Sequence, residues 1–121
     1  LVRDIAAAHG CVADIDLRAG YPVTRNHAEG IDVVRGAVEE VLGVGRFIEL
    51  PTPIMGAEDF SYVLQRVPGA MTFLGACPPD IADSLSAPSC HSNLMRIDER
   101  AIAHGIALHV ATATAALAAA G

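Results

Sequence analysis

Phe47-Ile48-Glu49-Leu50 is followed by Met55-Gly56-Ala57-Glu58-Asp59-Phe60-Ser61-Tyr62, and then by Met71-Thr72-Phe73-Leu74-Gly75. The first and last runs are short and apolar. Pro51 and Pro53 close one and Gly75 closes the other, the pattern of buried strands. Between them, Asp59 to Arg66 reads as a short helix with Phe60, Val63 and Leu64 on one side, stopped by Pro68-Gly69. Strand, helix and strand in this order imply α/β layers, a sheet covered by helices.

The chain on either side extends this reading. Upstream, Asn26 and Glu29 form a helix-start signal, and Ile31, Val34, Val38, Val41 and Leu42 recur at helical spacing until Gly43 and Gly45. Gly20-Tyr21-Pro22 separates this helix from Cys11, Ala13, Ile15 and Leu17. These four alternate with Val12, Asp14, Asp16 and Arg18, as in a strand with one solvated face. Leu1 to His9 reads as a helix ending at Gly10. Downstream, Cys77 to Cys90 holds three Pro, three Ser and two Asp, a loop composition of a length that is usually functional. Asp98 then caps a long helix whose apolar positions are Ile102, Ile106, His109 or Val110, Ala113 and Leu117. The break at residues 20–25 is the best internal boundary.

The chain has 121 residues, 52% apolar and 18% charged, with a net charge of −6. That is not a disordered composition, and three Cys do not make a disulfide scaffold. All 8 basic residues are Arg, and no basic stripe exists to displace counterions from nucleic acid or to meet an acidic bilayer. Residues 101–120 are apolar, but mostly through Ala. They include His104, His109, Thr112 and Thr114 and lack an aromatic belt, so a soluble helix is expected rather than a membrane span. No signal peptide is visible, and a cytoplasmic location is expected. The mean hydropathy of +0.40 is high for so short a chain, and Leu1 opens inside a helical pattern. A piece of a larger protein is therefore expected.

Few residues suggest chemistry. His91 ends the long loop, where a neutral imidazole can hold a metal or simply bond to backbone. Glu58 and Asp59 follow Gly56. They suit a helix N-terminus, or they orient a polar substrate that approaches the glycine backbone. His104 and His109 stand about 140° apart on a helix and cannot share a metal. His27, near a helix start, is expected to be solvated. Cys77 and Cys90 flank the loop without a C-x-x-C pattern, and no phosphate-binding or serine-nucleophile motif occurs.

The block from Met55 to Tyr62, with Val67-Pro68-Gly69 and Phe73-Leu74-Gly75, resembles the C-terminal part of M20-family metallopeptidases, in their amidohydrolase branch. So do His91-Ser92-Asn93, Asp98-Glu99 with the helix containing Gly105, and Tyr21-Pro22 with Asn26. That branch includes hippurate hydrolases, N-acyl-amino-acid deacylases and auxin-conjugate hydrolases. The resemblance implies the C-terminal segment of a phosphorylase/hydrolase-like zinc-peptidase catalytic domain (residues 23–121). Residues 1–22 would be the last helix and strand of an α/β lid, or dimerisation, domain.

The resemblance also implies hydrolysis of N-acyl amino acids or related amides through water activated by two divalent ions (Zn, Mn or Co) per intact subunit. His91 matches the family's last metal ligand, although Cys90 and Asn93 stand where Leu and Pro are usual. Gly56, Glu58 and Asp59 match a segment lining the substrate side. The remaining ligands and the general base are expected upstream. The chain alone is therefore expected to be inactive, with the N-terminal part of the same enzyme as its partner and a homo-oligomer as its assembly. The alternative is a non-catalytic fragment or homologue serving as an association or ligand-binding module.

Overall fold

The computed structural model describes residues 1–120, with side chains through Ala119. Its order is α1 (Val2–Ala8), α2 (Ala28–Leu42), α3 (Ser61–Leu64), a 3-10 turn (Ser84–Ser86) and α4 (Arg100–Ala120). Local signals account for each helix. At the end of α1, Gly10 takes φ +70°, while the Gly10 and Cys11 N–H groups donate to the Ala7 and Ala6 carbonyls, closing the helix as expected. Gly43 and Gly45, at φ +97° and +81°, end α2 in the same left-handed region.

The core is small. Ala37 and Val38 of α2 and Leu64 of α3 are buried, and α2 packs along α4. Ala101, Gly105, Ala107, Leu108, Ala111, Thr112 and Ala115 are the partly covered positions of α4. At Gly105 an added Cβ would lie 3.4 Å from Leu74, so a small residue suits this close approach. The stripe recognised in the sequence, Ile102, Ile106, Val110 and Leu117, lies on the exposed side; Ile106 is 63% exposed and Leu117 76%. Arg100–Ala119 is long and apolar enough to cross a membrane by length and composition.

The α/β expectation is corrected in one respect: there are no strands among the described residues. A strand exists only where a neighbour accepts and donates its ladder bonds. Residues 11–18, 47–50 and 71–74 have no such neighbour. Phe73 is 67% exposed and Ile48 78%. What holds two of these runs is side-chain bonding. Asn26 Nδ2 donates to the Met71 carbonyl (2.9 Å), and Met71 N–H donates back to Asn26 Oδ1 (2.8 Å), in imitation of a strand partner. Arg35 of α2 pairs with Glu49, and its guanidinium lies 4.5 Å from the centre of the Phe47 ring.

Two boundaries also shift. Asn26 serves Met71, and His27 becomes the N-cap residue of α2. The helix expected over Asp59–Arg66 shortens to Ser61–Leu64, with turns on both sides.

Candidate functional site

Glu58 starts α3. Its carbonyl accepts from Ser61 Oγ (2.6 Å) and from Ser61 N–H (3.3 Å), and its Oε1 accepts from Phe60 N–H (3.2 Å). These bonds explain why Ser61 is tolerated at 0% exposure, since a buried hydroxyl must be bonded. Glu58 is half-buried, while Asp59 and Gly56 are exposed. A Cβ at Gly56 would meet only Ile54, at 3.9 Å, so these surroundings do not demand glycine.

His91 lies in a turn between Cys90 and Ser92 and is exposed. Local bonds shape this turn. Ser92 N–H donates to the Ser89 carbonyl (2.9 Å), Met95 N–H to the Ser92 carbonyl (3.1 Å), and Leu94 N–H to Ser92 Oγ (3.1 Å). Among the described residues, no hydrogen bond engages the His91 ring. Asp98, at the start of the next helix, is bonded to Arg100. Arg100 Nη2 and Nε lie 2.6 Å and 3.0 Å from Asp98 Oδ2, and Arg100 N–H donates to Asp98 Oδ1 (3.1 Å). These bonds from Arg100, with the charge of His104 adding to them, hold the Asp98 carboxyl below the usual range.

No three His, Cys, Asp or Glu side chains converge on a possible metal position among the described residues. The donor set therefore fits one ligand of a shared site: a single exposed imidazole with neither nitrogen committed. It does not fit a whole site. Cys11, Cys77 and Cys90 are free thiols.

A shallow concave surface lies elsewhere, around the start of α2. A cleft of about 440 Å³ is lined by Val23, Arg25, His27, Ser61, Leu64 and Gln65, and a second adjoins it at Asn26 and Glu29. His27, expected to be solvated, is half-buried here. Its Nδ1 accepts from Gly69 N–H (3.2 Å) while its own N–H donates to the Gly69 carbonyl (2.9 Å). Asn26-His27 ahead of Glu29 was the available signal, but it reads as a helix start and not as a docking point for residues 69–71.

Residues 5–115 match the model of peptidase family M20/M25/M40. The chain is 34% identical over 113 residues to IAA-amino acid hydrolase ILR1-like 2 of Arabidopsis thaliana, covering 89% of the chain and 24% of that protein. It is 30% identical over 106 residues to probable hydrolase sll0100 of Synechocystis sp., covering 88% of the chain and 26% of that protein. It is 36% identical over 81 residues to N-acetyldiaminopimelate deacetylase of Lactiplantibacillus plantarum, covering 65% of the chain and 20% of that protein. The chain thus spans about a quarter of the length of the first two of these relatives. With the family model matched across nearly all of its length, the chain belongs to peptidase family M20/M25/M40.

Proposed function

We propose that this chain is the C-terminal part of a longer metal-dependent amidohydrolase that cleaves N-acyl amino acids or related amides. Residues 1–22 would close its lid domain and residues 23–121 would complete its catalytic domain. The family match over residues 5–115 carries the reading. Two relatives, the amino acid conjugate hydrolase and the deacetylase, bear names that point to amide cleavage. The family is generally dinuclear and metal-dependent.

When bound, divalent ions supply a water of lowered pKa and polarise the amide carbonyl. His91 would hold one of them through a ring nitrogen of its neutral imidazole. Glu58 keeps Oε1 on the Phe60 N–H, which leaves its second oxygen to orient a polar group of the substrate. Asp59 beside it adds negative charge, and Gly56 lets the substrate approach the backbone. The general base and the other ligands would come from the N-terminal part of the enzyme.

Elemental mass spectrometry of the long enzyme and of this chain, run together, tests the reading. Stoichiometric Zn, Mn or Co in the long enzyme, absent from the chain, is the expected result. His91→Ala in the long enzyme should lose bound metal and most hydrolysis of N-acyl amino acids. Unchanged metal content and rate would overturn the assignment.

A second reading is favoured by the exposed apolar side of α4: the chain acts as an association module. Light scattering separates the two. A monomer at high concentration excludes self-association.

A further inference from the structure

Among the described residues, two hydrogen-bonded ties cross the base of the loop carrying His91, and one of them is a side-chain pair. Within it, hydrogen bonds are local. Asp83 caps the 3-10 turn through Leu85 N–H (3.0 Å) and Ser86 Oγ (2.7 Å), and the Ser89–Met95 turns bond only to one another. Such bonds shape the loop but do not fix where it sits. Asp98 N–H donates to the Ala76 carbonyl (2.9 Å), joining the two ends. Just inside, Arg96 Nη1 donates to Asp80 Oδ2 (2.8 Å) and Nη2 to Asp80 Oδ1 (3.1 Å). This is a bidentate fork across 16 positions, the geometry in which Arg and a carboxylate fix direction as well as distance. The bonds from Arg96 hold the Asp80 carboxyl below its usual range, so the pair is fully charged at neutral pH.

We infer that Asp80 and Arg96 are positioning residues that close the His91 loop and so present its imidazole to a divalent cation. The inference rests on the reading of His91 as a ligand given above. Arg96 follows His91 closely on the short arm of the loop, so freeing the fork releases the arm that carries the imidazole. A ligand in a preset place loses less freedom when the cation binds. Because the pair is exposed, its effect is modest and salt-sensitive.

The test is Zn²⁺ affinity of the long enzyme, measured by competition with a chromophoric chelator. Asp80→Asn and Arg96→Gln should each weaken affinity by about 2–5-fold at low salt, the range an exposed pair can produce. The double variant should be no weaker than either single one, and the exchange D80R with R96D should recover affinity. In about 1 M salt, where the Debye length falls to about 3 Å, the variants should match the parent. Parental affinity in both single variants, with affinity lost in His91→Ala, would overturn the clamp and leave the ligand reading standing. Parental affinity in His91→Ala would overturn both. Weakening that neither the exchange nor salt alters would assign each residue a separate structural role and overturn the pair. Should Arg96→Gln fail to fold, the near-isosteric Asp80→Asn, with its salt dependence, decides alone.

Discussion

Gly30 shows how much one hydrogen in place of a methyl group can decide. It lies in the first turn of α2, where a Cβ would come within 2.5 Å of the Gly69 carbonyl carbon and 2.7 Å of its oxygen. Both are backbone atoms that cannot swing aside. They belong to the residue whose N–H and C=O are bonded by His27. Gly30→Ala gains helix propensity by up to about 1 kcal/mol, but it must push residues 69–71 off α2. Overpacking of this kind destabilises by about 1–3 kcal/mol. A net loss of stability is expected in urea unfolding, and a variant as stable as the parent would show that this approach is not as close as described. Thr24 gives the opposite case. Its Oγ1 is buried with no hydrogen-bond partner among the described residues. An unmade bond carries a desolvation penalty of about 1–3 kcal/mol, whereas an apolar group of the same shape carries none. Thr24→Val should therefore leave the melting temperature of this chain unchanged or raised. A lower value would reveal a partner for the hydroxyl.

Helices were legible in the sequence because their causes are local. Gly10, Gly43, the apolar spacing of α2 and the Asp98 cap of α4 each act within a few residues of where they stand. Strands were not legible in the same way. Alternation at Cys11–Leu17 and apolar runs at Phe47–Leu50 and Met71–Leu74 state a capacity for pairing, but the partner is set by the rest of the fold. Residue roles that depend on distant contacts were equally hidden, as with Asn26 on Met71, or the covering of Ala101 and Gly105 on α4 while Ile102 and Ile106 stay exposed. The candidate residues stand out in the sequence only where they lie next to an element: Glu58 just ahead of α3 and His91 before α4. The Asp98 cap yields a pH prediction. Arg100 holds the Asp98 carboxyl below its ordinary pKa, so folding favours its ionised form. The contribution is complete above the ordinary carboxylate range near pH 4 and disappears as pH falls through the lowered folded-state value. Asp98→Asn should thus be less stable than the parent near pH 7, and the gap should close in strong acid. A gap of equal size at both ends would mean that hydrogen bonding, not charge, makes the cap.

At the scale of the whole molecule, the imbalance is between apolar sequence and buried core. Just over half the residues are apolar, yet among the described residues the buried hydrophobic core is Ala37, Val38 and Leu64. Ile102, Ile106, Val110 and Leu117 form one exposed stripe along α4, while its partly covered positions are mostly Ala and Gly. If the stripe is an inner surface of the longer hydrolase proposed above, α4 turns its larger apolar residues toward a core, as an amphipathic helix does. Ile106→Glu separates the possibilities. In this chain the position is already in water, so the melting temperature should hardly move, and any self-association through the stripe should fall in light scattering. In the long enzyme the same change would place a carboxylate in an apolar interface. Full burial of an Ile side chain is worth about 1.5–3 kcal/mol, and an unpaired charge adds to the loss. A strong loss of stability is therefore expected there, with metal binding failing only as the fold fails. A long enzyme that tolerates Ile106→Glu would leave the stripe on its outer surface, and a chain that turns from oligomer to monomer would then assign that surface to contact between copies.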